Sequence, residues 1–211
     1  MSELIFYTNP MSRGRIVRWM LEEIGCNYQT EVIGHGPAMK SSEFLAINPM
    51  GKVPALSHLG KVITETPAIL AYLADAFPEA QLAPAPAERQ AYYRWLFFAA
   101  GPLEAAITNK HFKFELPDDP RASGMAGYGS FELTVDVLQK TLAACTYIAG
   151  ERFNAADVYL GSHLAWGTQF GTLPNLPEFE TYMKRVTDLE AYRRANGMDN
   201  TLMPEPDNSA G

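Results

Sequence analysis

Apolar positions in residues 1–78 follow two different periods, one typical of strands and one typical of helices. A short apolar run at 4–7 predicts a buried strand, and apolar residues four apart predict a helix over 13–24. Gly25 is expected to end that helix, since glycine takes the left-handed conformation that a helix C-terminus favours. Further strands are predicted at 28–33, 53–59 and 61–64, and further helices at 41–47 and 66–78. The resulting order βαβαββα is that of an α/β unit.

The remainder of the chain has no strand periodicity. A stretch rich in proline and alanine at 79–87 predicts a linker, so the domain boundaries are expected at 1–78 and 88–198. The second domain is predicted to be all-helical, with a long helix over 89–110 that Gly101-Pro102 must bend or break. The polar tail at 199–211 is expected to be disordered. Other helices are predicted at 131–145, 155–167 and 178–186.

Composition narrows the possible functions. The 211 residues are 47% hydrophobic, which excludes disorder as the main state, and the net charge of −7 disfavours a nucleic-acid partner. Two cysteines form neither a disulfide framework nor a CxxC pair. No targeting or membrane segment is recognised, so we expect no membrane association and a reducing, cytoplasmic setting.

The negative charge is unevenly distributed. Residues 1–78 carry six basic and seven acidic side chains, whereas 79–211 carry eleven and seventeen. The net charge is therefore −1 in the first part and −6 in the second, and it does not count against an anionic ligand of the first part. A basic cluster either steers such an anion or forms a solvated helix face, and it consists of Arg13, Arg15 and Arg18.

The first candidate site is the segment 7–13, which joins the first strand to the first helix. Loops at the carboxyl ends of strands in α/β sheets are preferred binding sites, and a helix N-terminus favours an anion such as a thiolate. The Ser12 hydroxyl is placed to donate a hydrogen bond to that anion. The alternative is that Ser12 only caps the helix.

The second candidate is the segment 48–56, with the sequence NPMGKVPAL. A cis Val53–Pro54 bond would turn the Val53 backbone outward, where its N–H and C=O could pair with an extended peptide. The alternative is an ordinary turn marked by proline.

The third candidate is the start of the helix at Thr66-Pro67. Glu65 suits an ammonium group, while Thr66 and the helix N-terminus suit a carboxylate, so together they match the two charged groups of an amino acid. The alternative is an acidic, capped helix start without a ligand.

The fourth motif, at 153–158, is interpreted as structural. Asn154 as N-cap and Asp157 three residues later form a variant of the capping box. The four histidines are scattered without metal-ligand spacing, so we expect no metal site.

Together these motifs resemble the cytosolic glutathione S-transferase family, of a serine-type, bacterial-like kind, over about residues 3–198. NPMGKVPAL is similar to the family's cis-proline segment, ETPAILAYL at 65–73 to its E-S-x-A-I-L-x-Y-L helix, and FNAADVYLG at 153–161 to its F-[ST]-x-A-D motif. The resemblance implies a thioredoxin-like N-terminal domain, an all-helical C-terminal domain, a homodimer and a role in detoxification.

The resemblance also implies roles for individual residues. Ser12 resembles the catalytic serine, with Tyr7 as the alternative that tyrosine-type classes suggest. Val53, in front of Pro54, would pair with the cysteinyl part of glutathione, the co-substrate. The glutathione-binding set is completed by Lys40, Lys52, Glu65 and Thr66, of which the lysines would face the glycine carboxylate.

The implied reaction is attack of the glutathione thiolate on a small apolar electrophile, in a pocket that includes Met11 and Phe112. Thr66 replaces the family's usual serine but keeps its hydroxyl, whereas Met39 stands where related classes have a histidine and so weakens the role of Lys40. A glutathione-dependent isomerase, dehalogenase or peroxidase, or a non-catalytic binding protein, remains an alternative on the same fold.

Overall fold

A computed structural model describes residues 3–203, which form two compact units. The first unit contains residues 3–73 and 190–203, and the second contains residues 74–189. The boundary falls within a helix, α3 (Thr66–Ala76). The domain boundaries predicted from the sequence stay a prediction, and the units are described separately below.

The first unit is built on a four-stranded sheet in the order β2-β1-β3-β4. β1 runs parallel to β2, whereas β3 is antiparallel to both β1 and β4. This is the thioredoxin-like arrangement that the family resemblance implies, and it agrees with the predicted order βαβαββα. The strands are β1 (Leu4–Thr8), β2 (Gln29–Val32), β3 (Ala55–His58) and β4 (Lys61–Thr64), and the other helices of the βαβαββα order are α1 (Gly14–Ile24) and α2 (Ser42–Ile47).

Local sequence accounts for the ends of these elements. Gly25 ends α1 with φ of 73° and donates its N–H to the carbonyl of Leu21, as predicted. The β3–β4 hairpin turns at Leu59 and Gly60, with φ of 53° and 74°. A two-residue hairpin loop needs this left-handed backbone at both positions, and Gly60 adopts it without a steric cost. The side chain of Ser41 caps α2 by accepting from the N–H of Phe44.

The second unit is helical. A π-helical turn at Ala99–Leu103 joins its first two helices and contains Pro102, so the regular α-helix is interrupted at the predicted position. The short helix α6 is an addition to the sequence-based prediction. The helices are α4 (Gln90–Phe98), α5 (Glu104–Phe112), α6 (Pro120–Met125), α7 (Phe131–Ala144), α8 (Ala155–Gln169) and α9 (Pro177–Thr187).

The predicted capping box at the start of α8 is confirmed. The side chain of Asn154 accepts from the N–H of Ala156, and the carboxylate of Asp157 accepts from the N–H of Asn154, both at 2.9 Å. Asp157 also accepts from the N–H of Ile148 at 2.8 Å and from the hydroxyl of Tyr182 at 2.6 Å. All four hydrogen bonds are buried, so this motif stabilises the helical core.

The last helix, α10 (Glu190–Thr201), belongs to the first unit, where it lies against α1. The helix continues past residue 198, where the sequence predicted the start of a tail. Asp199 is fully buried and pairs with Arg18 of α1 at 2.8 Å, which holds this last turn in place. The remaining part of the predicted tail, 204–211, lies outside the described residues. In residues 3–203, no helix is long and apolar enough to cross a membrane.

Candidate functional site

The three candidate segments meet at one edge of the sheet because of the strand register. Tyr7 of β1 is paired with Ala55 at the start of β3, and Ala55 is paired with Thr64 at the end of β4. Thr8 is likewise paired with Val32 at the end of β2. The edge meant here is the one formed by the strand ends, and the segments that lie next to it are 9–13, 33–40, 48–54 and 65–66.

The loop after β1 is held by the side chain of Asn9, which is buried. Its amide donates to the carbonyl of Ile33 after β2, and its side-chain oxygen accepts from the N–H of Met11, both at 2.9 Å. The same residue thus ties two strand ends together and shapes the turn that leads to Ser12. A loop with these internal bonds presents its side chains in a defined geometry.

Ser12 is half-buried in this loop, two residues before α1 begins. Its hydroxyl donates to the carbonyl of Asn9 at 2.7 Å and accepts from the N–H of Gly14 at 3.0 Å. These bonds are those of a structural serine. To bind an anion, the hydroxyl has only to redirect its proton from the Asn9 carbonyl, while the bond from Gly14 persists. Both interpretations of Ser12 are compatible with this geometry.

Gly14 is required at the start of α1 by close packing. A Cβ built on Gly14 would lie 1.9 Å from the hydroxyl oxygen of Thr8 and 3.1 Å from that of Ser12. Thr8 is fully buried, and its hydroxyl has no hydrogen-bond partner among residues 3–203. The helix start therefore lies directly against the end of β1.

Two arginines of the basic cluster, Arg15 and Arg18, have partners within the protein, whereas the exposed Arg13 leaves both sequence-based interpretations open. Arg18 is 1% exposed and paired with Asp199, so it neither steers an anion nor forms a solvated face. Arg15 donates to the carbonyl of Pro10 at 2.7 Å and to the side-chain oxygens of two asparagines of α10. The sequence pattern failed here because the partners lie about 180 residues away.

The segment before β3 contains the predicted cis Val53–Pro54 bond, which is confirmed. Strand pairing begins at Ala55, so the half-buried Val53 lies outside the ladder. The turn in front of it is held by Asn48, whose side chain accepts from the N–H of Met50 at 3.0 Å and donates to the carbonyl of Lys52 at 2.7 Å. The Lys52 side chain is exposed at this edge.

Lys40 reaches the same turn from the segment after β2. Its ammonium donates to the carbonyl of Met50 at 2.9 Å and to that of Gly51 at 3.2 Å, so two of its three donors are used within the protein. Gly51 has φ of 58°, and a Cβ there would lie 2.5 Å from the Met39 carbonyl. Lys40 therefore braces the turn and keeps one donor for a ligand.

At the end of β4, Glu65 and Thr66 form the start of α3. Glu65 is exposed and has φ of 68°, a left-handed conformation that costs a non-glycine residue on the order of 1 kcal/mol. Its carbonyl accepts the N–H of Ile69. Thr66 is 6% exposed and occupies the first helical position. A strained glutamate beside a helix N-terminus is typical of a ligand-binding position.

Tyr7 and the predicted second-substrate residues complete the candidate set. Burial, and secondarily the charge of Glu31, raise the pKa of Tyr7, so its hydroxyl stays protonated at neutral pH and can donate. Its ring lies 6.2 Å from that of Phe44 in α2. Met11 of the first unit and Phe112 of the second are each 60% exposed, and their contact with a substrate stays a prediction.

Two asparagines that shape these loops, Asn9 and Asn48, are absent from the site residues predicted from the sequence. Both begin an Asn-Pro-Met tripeptide, at 9–11 and at 48–50, and in both the asparagine oxygen accepts the N–H of the methionine. Asparagine before proline favours such a turn. The repeated tripeptide could have identified both Asn9 and Asn48.

Comparisons with known proteins find relatives in sequence and in fold. Residues 2–75 match the family described as glutathione S-transferase, N-terminal domain. Glutathione S-transferase GstA of Escherichia coli O157:H7 is 31% identical over 151 residues, covering 69% of this chain and 73% of that protein. Maleylacetoacetate isomerase of Rattus norvegicus is 30% identical over 187 residues, covering 84% of each chain.

A solved structure of a sphingomonad glutathione S-transferase complexed with glutathione is also similar. It superposes with a TM-score of 0.73 at 26% identity, and the match covers 93% of this chain and 98% of that one. Within residues 3–203, no group of three or more histidine, cysteine, aspartate or glutamate side chains is arranged to hold a metal.

Proposed function

Because the chain belongs to the glutathione S-transferase family, we propose that it binds glutathione at the edge of the sheet described above and conjugates its thiolate to small apolar electrophiles. The observation that carries this proposal is the strand register, which brings the ends of β1 and β4 and the start of β3 together. Three segments of different chemistry therefore face one ligand.

Each segment suits a different part of the tripeptide. Glu65 would bind the γ-glutamyl ammonium, and Thr66 with the N-terminus of α3 would bind the neighbouring carboxylate. The Val53 backbone, outside the ladder, would pair with the cysteinyl residue as an added strand. Lys52, and the remaining donor of Lys40, would face the glycine carboxylate.

Ser12 would then stabilise the thiolate. A free thiol has a pKa of about 8.5, and lowering it by about two units requires roughly 2.7 kcal/mol of preferential binding of the anion. A hydrogen bond to a charged acceptor contributes roughly 1.5–3 kcal/mol, and a helix N-terminus about 0.3–1 kcal/mol more. Ser12 together with the start of α1 is sufficient in magnitude.

The proposal has further parts that are drawn from the family. The electrophile is expected to contact Met11, which is exposed one residue before Ser12. A homodimer, a cytoplasmic location and a role in detoxification are proposed on the same basis.

The experiment is a calorimetric titration of glutathione into the protein and into two variants of Thr66. Thr66→Val keeps the shape of the side chain but removes the hydroxyl, so we expect binding to weaken by about 10- to 100-fold through loss of a hydrogen bond to a carboxylate. Thr66→Ser keeps the hydroxyl and should bind nearly as tightly as the parent. Equal affinity of Thr66→Val and the parent would contradict this assignment.

The similarity to an isomerase over 84% of both chains favours a second candidate function. In that reaction the thiolate would add reversibly to a cis-alkene conjugated with a carbonyl and leave after rotation about the bond. The two reactions separate when a chloronitrobenzene and such an alkene are compared as substrates at equal glutathione concentration. Failure of the protein to be retained on glutathione-agarose would favour a non-catalytic role over both.

A further inference from the structure

Arg15 connects the candidate catalytic loop to the last helix of the same unit. It lies in the first turn of α1, and its Nε donates to the carbonyl of Pro10, five residues earlier, at 2.7 Å. That carbonyl precedes Met11 and Ser12 directly, so its direction determines the path of the turn. Arg15 thus holds the turn in addition to the hydrogen bonds that Asn9 makes to Met11 and Ser12.

The two terminal nitrogens of Arg15 are held by α10. One donates to the Oδ1 of Asn196 at 3.1 Å and the other to the Oδ1 of Asn200 at 2.7 Å. The two asparagines are four residues apart, so they lie on one face of the helix. The planar guanidinium makes all three contacts at once, a geometry that a lysine cannot reproduce.

The position of α10 is itself set by contacts that do not involve the loop. The buried pair of Arg18 and Asp199 fixes the helix at one point, and the rings of Trp19 and Tyr192 meet edge to face with their centroids 4.7 Å apart. These contacts fix the register of α10 on α1. Asn196 and Asn200 are therefore presented to Arg15 by a helix that cannot slide.

We propose that Arg15 is a positioning residue through which α10 holds the Pro10–Ser12 turn in the geometry that stabilises the thiolate. The inference rests on the function proposed above. Arg15 acts here through Pro10, so its role depends on its three hydrogen bonds and not only on its positive charge. Replacing the two asparagines leaves the charge of Arg15 in place but removes two of its three hydrogen bonds.

The test is the double variant Asn196→Ala/Asn200→Ala. We expect the pKa that governs kcat/KM to rise by about one unit, and kcat at pH 6.5 to fall about tenfold. The KM for glutathione should change little, because Val53, Glu65 and Thr66 are untouched. In the protein without glutathione, hydrogen exchange at the amides of Met11 and Gly14, which donate to Asn9 and Ser12, should become about tenfold faster.

The matched control is Arg194→Ala. Arg194 also joins α10 to α1, but it does so through Glu22 near the other end of α1. We expect it to leave the pH profile and the exchange of Met11 and Gly14 unchanged. Asn200→Asp keeps an oxygen acceptor for Arg15 and should retain the slow exchange that Asn200→Ala loses.

Two results would overturn the inference. One is a double variant with the parent's pH profile and exchange rates, and the other is an Arg194→Ala variant that changes both as strongly as the double variant does. A parent protein that neither binds nor conjugates glutathione would instead contradict the proposed function, while the exchange rates would still decide whether α10 holds the turn.

Discussion

Two helices of this chain begin after a turn that is stabilised by an asparagine, and the two turns have different surroundings. Before α8, Asn154 and Asp157 are 3% and 0% exposed, and every bond they make is closed within the protein. Before α1, Asn9 is buried in the same way, but Ser12 is half-buried and its hydroxyl can exchange one partner for a ligand.

The difference separates a turn whose bonds stabilise the fold, before α8, from one that the proposed function assigns to ligand binding, before α1. Burial raises the pKa of Asp157 to about 6, so its carboxyl group is ionised at pH 7.5. Three donors within the protein bind this carboxylate. Ser12 instead lies at an exposed sheet edge beside a helix N-terminus. Substitutions in the turn before α8 should therefore lower the free energy of unfolding, and substitutions in the turn before α1 should lower kcat/KM.

The largest effect is expected from Asp157→Ala. It leaves the N–H groups of Ile148 and Asn154 and the hydroxyl of Tyr182 buried without their acceptor, at about 1–3 kcal/mol each before relaxation. We expect the free energy of unfolding in urea to fall by roughly 3 kcal/mol or more. Asp157→Asn keeps one oxygen and should lose less.

If Asp157→Ala were as stable as the parent, the structural interpretation of the α8 turn would be wrong. The glutathione affinity of the folded fraction is the internal control, since it should not change.

Ser12→Ala should lower activity strongly and stability only slightly, the reverse of Asp157→Ala. If the thiol pKa returns from about 6.5 to about 8.5, kcat/KM at pH 6.5 falls about 50-fold and recovers above pH 9, where the thiolate forms unaided. The expected loss in unfolding free energy is about 1 kcal/mol, because the hydroxyl bonds only the Asn9 carbonyl and the Gly14 N–H.

Tyr7→Phe is the control for this assignment and should leave the pH profile in place. A pH profile unchanged in Ser12→Ala but shifted in Tyr7→Phe would transfer the catalytic role to Tyr7.

The smallest effect is expected from Asn154→Ala. The variant loses the side-chain cap on the Ala156 N–H, while the Asn154 backbone still donates to Asp157, so we expect a loss of about 1 kcal/mol in urea unfolding. Asn154→Ser keeps an acceptor and should recover most of it. A loss as large as that of Asp157→Ala would mean that the two residues act as one unit.

Much of the fold was predictable because it depends on neighbouring residues. Gly25 ends α1, Ser41 caps α2, and Pro102 lies in the turn that interrupts the long helix, each through contacts within about five positions. The cis bond before Pro54 was predicted through the resemblance of its segment to the family's cis-proline segment. Asn9 and Asn48 were missed although their turns are equally local, since their repeated tripeptide was not recognised.

The candidate site itself was only partly predictable. Its residue types and their order along the chain suggested a family, but their convergence depends on the register of β1, β3 and β4. The positive φ of Glu65 and the two carbonyl contacts of Lys40 could not be inferred from residue types.

The amino-acid sequence by itself determined the elements of residues 1–78, most helices of the remainder and the chemical groups available at the sheet edge, because capping, turn formation and apolar periodicity are short-range effects. Only the tertiary structure decided that α10 joins the first unit, that Arg18 is buried against Asp199, and that Arg15 is bound by Asn196 and Asn200. These pairings cross about 180 residues, and their energies exist only after packing has brought the partners together.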